Sequence, residues 1–205
     1  MKESLKEFAE VIKDLYLRGW LPATSGNFSL KVDDKSFFIT SSGKHKGKIS
    51  PKDFVLVDME GNLLSGEGKP SAETLLHAVI YQCIPSARCV MHVHSPHATV
   101  FSKLVKDSKT RLQGYELLKA FEGIDTHDAE LILPIFENSQ DMPELAKRVK
   151  EELKGPSKYA GFLLRSHGVY VWAKDIQRAL MKLEALEFIL ECELKLAIIY
   201  GGSTT

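Results

Sequence analysis

The chain has 205 residues, 44% of them hydrophobic, and its 27 Lys and Arg balance 27 Asp and Glu. That length suffices for one domain with a sizeable core, and zero net charge supplies no field to draw the protein to nucleic acid or an anionic membrane. No apolar run approaches the ~20 residues a bilayer-spanning helix needs, the charged start Met1–Lys2–Glu3–Ser4 does not read as a signal peptide, and the widely spaced Cys83, Cys89 and Cys192 read as reduced residues of a cytosolic protein.

Ser4 and Glu7 have capping-box spacing before an amphipathic helix with Leu5, Phe8, Ile12, Leu15 and Tyr16 inward, stopped by Gly19. Small residues from Ala23 to Asn27 then lead into a strand at Phe28–Val32, and a second strand, Phe37–Thr40, runs into the loop from Ser41 to Lys48. Either loop is an ordinary turn or a cradle offering N–H and hydroxyl groups to an anion, and neither has a nucleotide-binding fingerprint. Phe54–Asp58 reads as a third strand.

Lys69–Pro70–Ser71–Ala72–Glu73 opens a helix carrying Leu75, Leu76, Val79 and Ile80, with Ser71 expected as N-cap and Glu73 in the first turn. Glu73 there either complements the helix dipole or looks into a cleft. It shares a helix face with His77, as a plain surface pair or, alternatively, a local metal pair.

Val90–Met91–His92–Val93–His94–Ser95–Pro96 reads as a short buried strand ended by Pro96. Strand alternation turns His92 and His94 the same way, ~6–7 Å apart along the backbone. They are either hydrogen-bonded histidines on a half-buried face or two ligands of one cation. His167, at a turn between the apolar runs Gly161–Leu164 and Val169–Trp172, is a third candidate. Three histidines and an open position make a catalytic zinc arrangement.

Beyond the H-x-H strand a helix is expected over Ala98–Val105, a charged loop over Lys106–Arg111, and a short apolar segment, Tyr115–Phe121, containing Glu116. Leu131–Ile135 reads as a strand. Asp141 and Glu144 bracket the start of a helix lined by Leu145, Val149 and Leu153, and Asp175 caps a long last helix reaching Ile198. Strands and helices in this order suggest a mixed α/β layer fold.

Gly26–Asn27, Ser41–Ser42–Gly43, Lys69–Pro70–Ser71–Ala72–Glu73, His92–Val93–His94–Ser95–Pro96 and His167–Gly168 span nearly the whole chain. In order and spacing the set resembles the class II aldolase and adducin-head superfamily. The segments from Gly114 to Lys119 and from Arg165 to Trp172 resemble its dehydratase branch. The resemblance implies an α/β fold: one three-layer α/β/α domain over residues 1–205, around a largely antiparallel sheet. It implies a homotetramer with sites near subunit boundaries, and a zinc cofactor held by His92, His94 and His167. Asn27, Ser42, Gly43 and Ser71 match its phosphate-binding positions, with Ala72 where many aldolases have a second serine. Glu116 matches the dehydratase acid/base and Glu73 the aldolase branch's catalytic carboxylate.

The implied activity is zinc-dependent loss of water from a phosphorylated ketose in methionine salvage, with a sugar-phosphate aldolase or epimerase as the alternative. The expected partner is that small-molecule substrate, with no nucleic acid or membrane. A cupin-like metal protein shares H-x-H but carries a glutamate after the second histidine that is missing here, and an adducin-head-like interaction module need not keep three histidines. His97 is expected at the surface or behind the ligands, and His45 and His127 in solvent.

Overall fold

A computed structural model describes residues 2–155 and 159–201; Met1 of the charged start lies outside them. Nine strands form the central sheet: β1 (Asn27–Lys31), β2 (Ser36–Thr40), β3 (Phe54–Asp58), β4 (Leu63–Ser65), β5 (Cys89–Val93), β6 (Lys109–Gln113), β7 (Glu130–Phe136), β8 (Gly161–Leu164) and β9 (Gly168–Ala173). Their order is β4-β3-β2-β1-β5-β9-β8-β7-β6, antiparallel throughout except for the β7–β8 pair.

Strand alternation divides the core in two. Met91 and Val93 of β5 join Phe28 and Val171 beneath α1 (Lys2–Leu17), α3 (Pro96–Leu104) and α5 (Ile176–Ile199). Val90, Tyr170, Trp172 and Phe162 face the other way, with α2 (Thr74–Cys83) and α4 (Met142–Leu153). The result is the expected α/β/α sandwich around a largely antiparallel sheet. Among the described residues no helix is long and apolar enough to cross a membrane.

Several boundaries differ from expectation for local reasons. α1 already runs from Lys2, so Ser4 lies inside the helix rather than capping it. α2 begins at Thr74, with Glu73 at the N-cap position rather than in the first turn. Ser71 closes the preceding turn instead: its carbonyl accepts from Thr74 N at 3.1 Å and Thr74 Oγ1 at 2.6 Å. The segment expected as a charged loop runs from Lys109 into the edge strand β6, whose exposed Lys109, Arg111 and Gln113 surround its single buried residue, Leu112. β7 continues through Pro134 at the point where its pairing passes from β6 to β8, which tolerates a residue with no N–H to donate.

The register across the middle of the sheet positions the site. Asn27 of β1 and Tyr170 of β9 both sit opposite His92 of β5. Packing there is close enough to require glycine on either side of the histidine strand. A Cβ on Gly168 would lie 2.1 Å from Val93 O and 3.1 Å from His92 Cε1; one on Gly26, where φ is 77°, would lie 2.8 Å from His92 O. Replacing Gly168 with Ala therefore forces backbone apart. We expect it to lower unfolding free energy by ~2–4 kcal/mol in urea titrations and to weaken metal binding by the same protein.

Candidate metal centre and anion pocket

β5 ends at Val93, and His94 follows with its N–H bonded to Trp20 O at 3.0 Å. Ser95 then caps α3 by accepting from Ala98 N at 3.1 Å, with Pro96 as first helical residue, so the strand passes into a helix without loosening. His167 comes from the three-residue turn between β8 and β9, closed by the Leu164–Gly168 pair. Ser166 there holds a left-handed φ of 55°. Arg165 fixes the turn by donating from Nη1 to Ser102 O at 2.6 Å and to Val105 O near the end of α3.

These anchors bring three imidazole Nε2 atoms together. His92 and His94 are 2.9 Å apart, His94 and His167 3.0 Å, and His92 and His167 3.4 Å. Glu73 completes the cluster, with Oε2 3.3 Å from His92 Nε2 and Oε1 3.5 Å from His167 Nε2. Nitrogen bonds of ~2.0–2.1 Å at tetrahedral angles place ligand nitrogens ~3.3 Å apart, close to this triangle. Hydrogen-bond logic supports the fit. His92 Nδ1 lies 3.0 Å from Val169 O, which only accepts, so Nδ1 carries the proton and Nε2 a lone pair. His167 Nδ1 likewise donates to Asn138 Oδ1 at 3.2 Å. Two lone pairs thus face each other, and the buried Glu73 Oε1 has no hydrogen-bond partner among the described residues. A shared cation satisfies all of them. Burial, then a neighbouring imidazole (His167 for His92, His92 for His94), pushes the pKa of His92 well down and that of His94 to about 3, holding both in the neutral form a metal requires. The ring of His92 stacks on Tyr170 at 4.0 Å between centroids, fixing its plane.

Glu73 is held from behind by a buried chain that runs in one direction. Asn27 Nδ2 donates to Glu73 Oε2 at 2.6 Å, leaving Asn27 Oδ1 to accept from His77 Nε2 at 2.5 Å. His77, its pKa driven to about 3 by burial, is neutral, so its Nδ1 accepts from Ser29 Oγ at 2.7 Å, and Ser29 accepts in turn from Tyr81. The notion of a Glu73–His77 metal pair is thereby corrected: His77 turns to β1, away from the ligands. Its place was foreshadowed only by period-two spacing of Asn27 and Ser29 opposite a helix with His77 and Tyr81 one turn apart.

A cavity of ≈ 380 Å³ opens beside the cluster, lined by Asn27, Ser42, Gly43, Ser71, Glu73, His94 and His167, so the metal-ligand and phosphate candidates share one space. Thr24, Ser25, Lys46 and Asn138 also line it and were not singled out from sequence. Glu116 does not line it. Glu116 sits on a 3-10 turn, Glu116–Ala120, packed against α5; its side chain is 71% exposed and bonded to Lys119, which lowers its pKa. His97 lies behind, 3.4 Å from the buried Glu187, and His45 and His127 are exposed as expected. A hollow of ≈ 390 Å³ at the opposite strand ends, lined by Glu7, Lys31, Arg88 and Asp175, gathers no such ligand set among the described residues.

The sheet order, the paired core and a three-histidine cluster beside a small-residue pocket define a metal-site α/β/α protein. The chain belongs to the class II aldolase and adducin N-terminal domain family, which it matches over residues 6–194. Among curated relatives it is 44% identical over 194 residues, 95% of each chain, to methylthioribulose-1-phosphate dehydratase of Pseudomonas syringae pv. tomato. It is 43% identical over 191 residues to the protein of that name from Marinobacter nauticus, covering 93% of this chain and 92% of the relative. Among solved structures, L-fuculose-1-phosphate aldolase from Thermus thermophilus superposes with a TM-score of 0.79 at 25% identity, covering 99% of this chain and all of the other.

Replacing His94 with Ala should cut bound metal at least ~10-fold by elemental analysis, with the circular dichroism spectrum retained. His77 makes a separate pH prediction. Its folded pKa of about 3 lies below the ordinary 6.5, so the unfolded chain takes up the proton first, and stability complete above pH 6.5 is lost progressively towards pH 3. At pH 5 this one group removes ~2 kcal/mol. Urea midpoints at pH 7 and 5 should differ less in His77→Gln than in the parent.

Proposed function

We propose that the chain is a zinc-dependent hydro-lyase that converts 5-methylthioribulose 1-phosphate to 2,3-diketo-5-methylthiopentyl 1-phosphate in methionine salvage. The observation that carries this reading is the convergence of the His92, His94 and His167 nitrogens beside a pocket lined mostly by amide and hydroxyl side chains. The dehydratase relatives supply the substrate class. A set of three imidazoles suits zinc. Zinc held there supplies Lewis acidity to the substrate ketone, easing loss of the neighbouring carbon-bound proton.

The remaining work falls to the chain. Ser42, Gly43, Ser71 and the second amide proton of Asn27 hold the phosphate, which does no chemistry but fixes the reacting carbons beside the ligands. Glu116 takes the carbon-3 proton and returns it to the carbon-4 hydroxyl, which leaves as water, and the enol left behind relaxes to the diketone. Glu73, fixed by the Asn27–His77–Ser29–Tyr81 chain, is the supporting carboxylate.

Within one chain Glu116 is exposed, salt-bridged and depressed in pKa, the reverse of what a general acid needs. The reading therefore includes a homotetramer whose neighbouring subunit delivers Glu116 to the pocket. Exposed Val100 and Leu104 on α3, Leu117 beside Glu116, and Phe188 and Leu196 on α5 offer apolar surface for that association. The free thiols of Cys83, Cys89 and Cys192 suit a cytoplasmic enzyme. One observation favours a second reading: Glu73 stands among the ligands, where an aldolase or epimerase of the same family would use it.

The deciding experiment incubates zinc-loaded protein with methylthioribulose 1-phosphate and assays diketone and cleaved aldehyde separately; diketone is expected. Glu116→Gln should reduce turnover at least ~10²-fold with metal content unchanged. Mixed oligomers of His94→Ala and Glu116→Gln subunits should regain activity that neither parent has, because some sites then combine an intact triad with an intact neighbouring glutamate. A dead Glu73→Gln beside a normal Glu116→Gln would move the protein to the aldolase reading.

A further inference from the structure

Lys46 is 1% exposed, a rare state for lysine. Its Nζ donates to Thr24 O and Lys44 O, both at 3.0 Å, which leaves the third ammonium proton without a partner among the described residues. No carboxylate of the described residues lies within ion-pair distance of it; the neighbouring Lys44 has one, Asp53 at 3.0 Å. Ser25, next in sequence to Thr24, has a buried Oγ with no hydrogen-bond partner among the described residues. Both residues line the pocket shared with Ser42, Gly43, Ser71, His94 and His167.

From this geometry we propose that Lys46 and Ser25 form the charged floor of the phosphate subsite, Lys46 supplying the positive charge that neutral donors at Ser42, Gly43 and Ser71 cannot. The inference rests on the reading that the pocket takes a phosphorylated ketose. The simpler role, tying the Thr24 and Lys44 loops together, asks only for a donor, and a neutral one would avoid burying an unpaired charge. Burial alone pulls the Lys46 pKa to about 8, the mark of an ammonium with no counter-charge in the protein. A phosphate dianion provides that counter-charge, and Glu73, which lines the same pocket, makes a compensating cation more necessary. An ammonium bonded to phosphate is among the stronger hydrogen bonds available.

The test uses the zinc-loaded protein and inorganic phosphate, followed by the phosphorylated ketose. Lys46→Gln retains a donor for the loop carbonyls and removes the charge. It should weaken phosphate binding and raise KM at least ~10-fold while kcat changes less than ~3-fold, with zinc content and the metal-loaded melting temperature close to the parent's. Ser25→Ala should raise KM by only ~3-fold. A folded Lys46→Gln protein with parental phosphate affinity overturns the proposal. If that variant does not fold, a crystal structure of the parent with phosphate decides: Lys46 Nζ within hydrogen-bond reach of a phosphate oxygen supports the assignment, and phosphate bound elsewhere overturns it. Parental protein that binds phosphate at Lys46 but forms no diketone defeats the dehydratase reading alone. Diketone formation with an unchanged KM in Lys46→Gln defeats this proposal alone.

Discussion

The pairing of β1, β5 and β9 is the constraint on which the rest depends. Because Asn27, His92 and Tyr170 lie across from one another, one row of the sheet carries the first link of the carboxylate chain, a metal ligand and the ring that supports it. A shift of one residue in either pairing would turn these side chains to the opposite face and into the aliphatic core beneath α5. Gly26 and Gly168 permit this register, since a methyl group at either position meets the backbone of the histidine strand. The apolar core thus determines the geometry of the polar site, rather than the site shaping its surroundings.

Electrostatics then divides the pocket. One wall holds neutral imidazoles and a carboxylate, a combination that prefers a dipositive ion. The other holds hydroxyls, amides and a buried ammonium, which prefer an anion. A ligand that carries an anionic group close to a metal-binding oxygen matches this polarity in a single orientation. The hydrogen bonds behind Glu73 all donate towards it, so its negative charge is supported without any exposed cation.

Much of this was legible in the sequence, for identifiable reasons. His92 sits on the regular buried strand β5, His94 just past its end is held by its N–H bond to Trp20 O, and His167 joins because its turn is clamped by Arg165. The small-residue loops, which in sequence could be ordinary turns or anion cradles, do line the cavity. Less visible were features set by tertiary packing. Lys46 looks in sequence like one more cation in a run of lysines, and only the closure of two loops over it reveals its burial. The role of His77 depends on a β1 partner fifty residues away. β6 and β4 escaped because edge strands exposed to solvent lack the apolar alternation that betrays buried ones. Glu116 was assigned by likeness, and its solvent-facing position in one chain has no local sequence signal at all.

The separation of the histidines along the chain has a kinetic side. His92 and His167 are 75 residues apart, and every strand pairing in the central row joins distant segments. Loop closure of that length opposes early pairing, so such contacts form slowly and late. A cation meeting the unfinished chain finds at most the local H-x-H pair. It gains its third nitrogen only when β9 docks against β5, and so it secures a completed sheet rather than nucleating one. The rate at which metal becomes resistant to chelation during refolding is then a clock for β9 arrival.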